Sequence, residues 1–349
     1  MTVRSRKEWK KLLTETPLPV LKQLSQDVRF QKHPDPTVTY VLDTNPNYTN
    51  ICTIGCLFCA FKKSSQGSGA YHFSPNEVMA SLERASKAGL TTVLLQGGIH
   101  KKITAEYLVT LVKRCRYEFP SLHPHFFSAP EIWHAAKTSK ISIEDMLESL
   151  WEAGQRTIPG GGAEILSSSV HSQISPKKLT PDQWIDVHRK AHKIGFKTTA
   201  TMMFGHVETP DDILDHFEIL FRLQEETGGF SAFIPWSYKR ANNPLGKKVL
   251  TSASKELYYR IIALSRLYLH NFDHITASWF GEGKETGTRA LHFGADDFGG
   301  TIFEEQVHKA ADHSISITTD EIRSLIKTQG FEPIERNAFY QKIERSLSP

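Results

Sequence analysis

From Val38 to Trp279, short apolar segments alternate with capped helical ones, and this alternation constrains the fold more than any other feature. VTYVLDTN (38–45), TTVLLQGG (91–98), LHPHFFSA (122–129), RTIPGGG (156–162), KTTATMMFG (197–205), GFSAFIPW (229–236) and HITASW (274–279) read as strands. Between them, 74–89, 104–119, 142–154, 180–195, 209–228 and 254–271 carry helical patterns. Ser74 with Glu77 and Thr180 with Gln183 form capping boxes, and Gly89, Gly154 and Gly195 provide left-handed stops. Short, mostly apolar strands fit a parallel sheet buried on both faces. Alternation on this scale leaves two folds open, a β/α barrel and a doubly wound sheet.

Residues 1–37 are polar and hold Pro17, Pro19, Pro34 and Pro36, which predicts one amphipathic helix through Trp9, Leu12 and Leu13 and a capping loop. The expected division is a capping segment (1–37), a barrel (38–280) and a C-terminal extension (281–349) completing the substrate site. Within the extension, a helix is predicted near 303–312 and another behind the Thr318–Glu321 box.

At 349 residues the chain can bury a core without disulfides. Hydrophobic residues at 39% and charged ones at 23% exclude a disordered or coiled-coil chain. The net charge of +4 argues against a nucleic-acid partner. No apolar run approaches the ~20 residues of a membrane span. The start, MTVRSRKEWKKLL, lacks the apolar stretch of a signal peptide, so a cytoplasmic protein without membrane contact is expected.

Three of the four cysteines fall in one loop directly after the first strand: Cys52-Thr-Ile-Gly-Cys56-Leu-Phe-Cys59. A closed zinc site takes four ligands, commonly from paired knuckles, and no second knuckle exists. The bland alternative is a zinc site that borrows His72 or His100. Cys115 shares a helix face with Leu108, Leu111 and Val112, which is a core position. A 4Fe–4S cluster normally takes four thiolates, so three leave one iron open for an exchangeable ligand.

The C-x3-C-x-aromatic-C pattern at this place resembles the radical S-adenosylmethionine (SAM) superfamily. The resemblance implies a TIM-like β/α barrel, complete or partial. It also implies a 4Fe–4S cluster on Cys52, Cys56 and Cys59, with SAM chelating the open iron and splitting into methionine and a 5′-deoxyadenosyl radical. Phe58 would lie beside the adenine. Gly97 and Gly98, ending the second strand, would receive the SAM amino group, since Gly-Gly lets backbone approach a ligand. Ser128, with Glu131 nearby, ends the third strand and is expected among the cofactor contacts. Glu164, after Pro159-Gly160-Gly161-Gly162, is expected at the SAM ribose, and Arg189, by analogy alone, at the methionine carboxylate.

Further candidates line the strand ends, where barrel enzymes gather their chemistry. His206 and Glu208 are possible catalytic or ligand contacts, although Thr209 can cap the next helix and Glu208 can favour its positive end. Trp236 and Tyr238 form an aromatic wall for a flat substrate, with core packing as the alternative. Asp296 and Asp297, between glycines, look like a polar loop gripping substrate, with Asp297 on a sugar hydroxyl; a solvated turn is the alternative.

NYTNIC (47–52), LLQGGI (94–99), IPGGGAEIL (158–166), ATMMFGHVET (200–209), LQEETGGFSAFIPW (223–236) and FGADDFGGT (293–301) resemble the menaquinone-by-futalosine branch. MMFGH and FIPW favour its cyclase form over its sister. That form implies cyclisation of dehypoxanthine futalosine by hydrogen abstraction from the ribose 4′ carbon. The sister, aminofutalosine synthase, would add the radical to an enolpyruvyl double bond and consume SAM. A non-catalytic iron–sulfur or zinc protein is the third reading. The resemblance further implies an electron donor such as flavodoxin or ferredoxin.

Overall fold

A computed structural model of the chain describes residues 4–313 and 316–343, so the ends of both terminal segments lie outside the described residues. The strands are β1 (Thr37–Val41), β2 (Asp43–Thr44), β3 (Thr92–Val93), β4 (His123–Pro124), β5 (Thr157–Ile158), β6 (Lys197–Phe204), β7 (Phe230–Ser237), β8 (His274–Ile275), β9 (Asp297–Gly300) and β10 (Glu332–Glu335). They form three parallel sheets of order β10-β1-β9, β2-β3-β4 and β5-β6-β7-β8. Only Leu42 separates β1 from β2, and the bridges His125↔Thr157 and Thr276↔Asp297 join the sheets edge to edge. The arrangement is TIM-barrel-like, although no one sheet closes on itself.

Helices pack outside the strands through faces that bury Val78, Leu82, Leu108, Leu111, Leu147, Trp184, Phe217 and Ile261. The capping boxes form as the sequence predicts: Ser74 accepts from Glu77 N, and Thr180 from Gln183 N. Gly195 ends its helix with φ +115°, where an L side chain is strained. Among the described residues, no helix is long and apolar enough to cross a membrane.

Three sequence expectations need correction. The N-terminal segment holds two helices, Arg6–Thr14 and Leu18–Lys32, because Pro17 and Pro19 suit a helix start rather than a loop. The Asp-containing stretch is β9, an inner strand on β1 with the register Thr39↔Asp297, and not a loop. Between 303 and 312 only the short turn Lys309–Ala311 is helical. Thus β9 and β10, both from the C-terminal segment, flank β1 within one sheet.

Candidate active site

The three-cysteine loop, the ends of β3–β5 and the loop after β5 enclose a cavity of 180 Å3. Cys52, Cys56, Cys59, Phe58, Gly97, Gly98, Ser128, Glu131, Glu164 and Lys178 all line it. Burial pushes the Cys56 thiol up to about 12 and raises Cys59, so metal binding must displace protons from both. Cys115 faces away, fully buried in the core, and burial lifts its thiol to about 12.

Zinc bound to three thiolates at about 2.3 Å would hold the sulfurs roughly 3.8 Å apart. Among the described residues, the group that brings three ligand atoms within 4.8 Å of one another is His33, His274 and Asp296, not the thiols. His72 and His100 pack edge to face at 4.7 Å, and neither lines the cysteine cavity. The histidines that a zinc site would borrow thus stand outside the cysteine cavity.

Backbone approaches closely on both sides of the cavity. A Cβ on Gly98 would stand 2.2 Å from Ile51 O, and one on Gly97 would stand 2.7 Å from the Tyr48 ring. Ser128 caps helix Ala129–Ser139, and Glu131 binds it from both Ser128 N (2.7 Å) and Ser128 Oγ (2.5 Å). Glu131 also accepts from Tyr48 Oη (2.6 Å) and Gly97 N (2.9 Å). One carboxylate therefore fixes the cysteine loop, the Gly-Gly turn and a helix start together.

Glu164 adopts φ +42°, unusual for a side chain other than glycine. It accepts from Lys178 Nζ at 2.7 Å, and its Oε2 is buried with no partner among the described residues. Asn47 Oδ1, on the same cavity wall, is likewise unpartnered. Buried polar atoms are normally bonded, so the cavity wall carries two acceptors with unused capacity. Gly160 sits against Thr199 O and Gly161 against Gln96 Nε2, where a Cβ would meet them at 2.3 and 2.7 Å.

A second chamber of 320 Å3 adjoins the first and shares Gln96, Gly162, Glu164 and Val307 with it. Trp236, Trp279, Phe280, Phe298 and Tyr340 give it apolar walls, and Asp43, His125, Glu305, His308 and Arg336 give it polar points. Burial pushes the Asp43 carboxyl up to about 6.

Several predicted site residues lie elsewhere. Arg189 is on the outer face of helix Pro181–Ile194, paired with Glu226 at 2.6 and 3.0 Å. His206 Nε2 bonds Met203 O (3.0 Å) and its Nδ1 accepts from Val207 N (2.8 Å), while Glu208 accepts from Gly205 N (2.5 Å) and His206 N (2.9 Å). The pair locks a turn and lines neither cavity. Tyr238 is buried on Asn243, outside the aromatic wall. Asp296 is buried against Arg266, His274 and Ile275 N. Asp297 is fully buried against Arg336 (2.5 Å), Thr39 (2.7 Å) and Thr276 (2.9 Å). Both aspartates hold strands together instead of facing the chamber.

The sequence reading passed over Lys178, Gln96, Asn47 and Arg336. Lys177-Lys178 reads as a solvated pair in a polar stretch, and nothing local separates the two. Gln96 had a signal, since it precedes the Gly-Gly turn.

A TIM-barrel-like fold with three thiols and a glycine-lined cavity at the strand ends defines an iron–sulfur enzyme that binds a small cofactor. The sequence profile of the radical SAM superfamily matches residues 47–220, and that of the CofH/MqnC C-terminal region matches 227–348. The chain is 37% identical to 5-amino-6-(D-ribitylamino)uracil--L-tyrosine 4-hydroxyphenyl transferase 1 of Methanosarcina mazei, over 99% of this chain and 92% of the relative. It is 37% identical to aminodeoxyfutalosine synthase of Thermus thermophilus, over 93% and 88%. Methylornithine synthase (PylB) shares the fold at TM-score 0.70, with 16% identity and 94% of each chain covered. The hydrogenase maturase HydG of Carboxydothermus hydrogenoformans does so at 0.74, with 16% identity over 97% of this chain and 77% of that one. The chain belongs to the radical SAM superfamily, whose enzymes use a 4Fe–4S cluster and SAM.

The expected cyclisation of dehypoxanthine futalosine does not stand, because relatives matched over nearly the whole chain carry these two other names. The MMFGH string that favoured it reports packing: Met202, Met203 and Phe204 are fully buried and His206 is locked inward.

Proposed function

We propose that the chain performs the aminofutalosine synthase reaction on a route to menaquinone. It would join the adenosyl group of SAM to the enolpyruvyl double bond of an aromatic acid. The carrying observation is the shared wall: Gln96, Gly162 and Glu164 border both the cysteine cavity and the aromatic chamber. SAM in the first and an aromatic acid in the second would meet across it, which suits a joining reaction.

Cys52, Cys56 and Cys59 would hold the cluster, which when bound supplies the electron that activates SAM. Gly97 and Gly98 pack their turn against Tyr48 and the cysteine loop, and the backbone of that turn, fixed by Ser128 and Glu131, would receive the methionine end. Phe58 offers a face to adenine, and the free Oε2 of Glu164 an acceptor to a ribose hydroxyl. Lys178 orients Glu164. Trp236 and its aromatic neighbours exclude water from the chamber, and Arg336 is a cation at its edge.

The test is anaerobic turnover of the reconstituted protein with SAM and an enolpyruvyl ether of a hydroxybenzoate. A product containing the adenosyl carbons supports the reading. The M. mazei relative gives a second reading equal identity. Joining of tyrosine's 4-hydroxyphenyl group to the ribitylaminouracil, with no enolpyruvyl turnover, would overturn the first in favour of the second.

A further inference from the structure

Gln96, Gly162 and Glu164 mark the end of the aromatic chamber nearest the thiols, and its other end lies deeper among the strands. Thr92, Leu94 and Gln96 line the chamber from every second position of one extended segment. At about 3.3 Å per residue, Thr92 stands roughly 13 Å from Gln96. The register Asp43↔Thr92↔His123 sets Asp43 level with Thr92 on the adjacent strand. Two residues further on, Asn45 and His125 come level with Leu94, and both line the chamber.

Asp43, Asn45, Thr92 and His125 hold bonding capacity that the protein leaves unused. Thr92 Oγ1 and Asn45 Oδ1 are buried with no partner among the described residues. His125 Nδ1 bonds Thr157 Oγ1 (2.8 Å), and its Nε2 bonds no described residue. Burial lowers the His125 pKa to about 3, so the ring is neutral. Asp43 Oδ1 accepts from Ile302 N (2.8 Å), while Oδ2 accepts from no other described residue. Burial pushes this carboxyl up to about 6, with Arg336 opposing the shift and Asp297 adding to it. Those two are paired with each other, and Arg336 also donates from Nη1 to Asn337 O (3.1 Å). Glu305 accepts from Val307 N (2.6 Å) and His308 N (3.0 Å). An anion at this end therefore meets neutral groups and the Asp43 carboxyl.

A carboxyl group fits this set, because it accepts from hydroxyl, amide and imidazole donors and can share a proton with a second carboxyl. An aromatic acid that meets SAM through its enolpyruvyl end at Gln96 carries its ring carboxyl toward Thr92. We propose that Asp43, Asn45, Thr92 and His125 form the subsite for that ring carboxyl, and that Asp43 and the ring carboxyl share one proton. The proton comes from solvent as the acid binds. The two carboxyl groups then carry one negative charge between them, and no other bond forms or breaks. The proposal rests on the reading of the substrate as an aromatic acid.

The test measures anaerobic binding of an enolpyruvyl ether of a hydroxybenzoate to the reconstituted, SAM-loaded protein by calorimetry, without reductant. Two buffers of different ionisation enthalpy should reveal uptake of close to one proton at about pH 8. Affinity should fall by up to about tenfold from pH 7 to 8. In Asp43→Asn, which stays neutral, it should change by less than about twofold over the same range. Thr92→Val should weaken the acid about fivefold or more. The same variant should bind the enolpyruvyl ether of phenol, which lacks only the ring carboxyl, within about twofold of wild type. Absence of proton uptake, a pH dependence kept in Asp43→Asn, or equal loss of both ligands in Thr92→Val would overturn the proposal. So would an acid that does not bind. Turnover with dithionite is read separately. An acid joined to the adenosyl group without these binding signatures removes the subsite and keeps the reaction. An acid bound with them but left unjoined keeps the subsite and removes the reaction.

Discussion

Lys178 Nζ stands 2.7 Å from Glu164 Oε1 and 5.7 Å from the centre of the Phe58 ring, inside the cysteine cavity. Burial alone would lower the lysine's pKa; the Glu164 carboxylate holds it above the ordinary value. The pair is thus a preorganised, charged acceptor whose free oxygen faces the cavity. Lys178→Met should leave Glu164 buried and alone, costing about 3–5 kcal/mol of stability. Loss of a charge-assisted contact should also weaken SAM binding by about tenfold or more. Thermal unfolding and equilibrium dialysis of SAM read the two effects; unchanged SAM affinity would remove the pair from the SAM site.

Gly98 is closed to any side chain. Its Cβ would lie 2.2 Å from Ile51 O and 3.1 Å from Cys52 Cβ, so Gly98→Ala must displace the cysteine loop. The expected result is a folded protein whose iron content and absorbance near about 400 nm fall by roughly half or more. Full iron occupancy in the variant would show that the loop yields without moving the thiols.

How far the sequence could be read depended on whether the chemistry was local. Cys52, Cys56 and Cys59 stood out because thiolates at such spacing have few other uses, and Gly97-Gly98 because the glycines are needed where they stand. Glu164 fell beside a run of three glycines, while its partner lies 14 residues on in a stretch that looks solvated. The two aspartates misled for the same reason. Carboxylates between glycines look alike in a loop and in a buried strand. The cations that decide the matter, Arg266 and Arg336, are 30 and 39 residues away. Capping boxes and glycine stops were legible at single helices, whereas the pairing of β9 and β10 on β1 joins chain ends that no local pattern connects.

Asp43 gives a pH dependence with a definite sign. Its carboxyl accepts from Ile302 N at 2.8 Å, lies against Gly300, and is pushed by burial up to about 6. The unfolded value is about 4. Between those values the folded chain keeps a proton that the unfolded chain has released. Stability from this group is therefore full below about pH 4 and is lost as pH rises through about 6. Asn stays neutral and keeps the acceptor. The melting temperature of Asp43→Asn minus that of wild type should therefore rise by a few degrees between pH 4 and 7, at about 2 °C per kcal/mol. A difference that stays flat over this range would mean that Asp43 is ionised throughout.

Asp296 separates a structural carboxylate from a substrate-gripping one. Burial alone would raise its carboxyl; Arg266 and His274 instead hold it well below the usual carboxylate range. A depressed carboxyl stabilises the fold above its unfolded value of about 4 and loses that contribution as pH falls below it. Asp296→Asn removes the charge and leaves Arg266 buried without its partner, which should cost about 3–5 kcal/mol at pH 7. The variant should melt several degrees lower, and the gap to wild type should narrow as pH drops below about 4. Since Asp296 does not line the aromatic chamber, KM for the substrate, measured well below the melting point, should stay within about twofold of wild type. A raised KM with an unchanged melting temperature would return Asp296 to the substrate site.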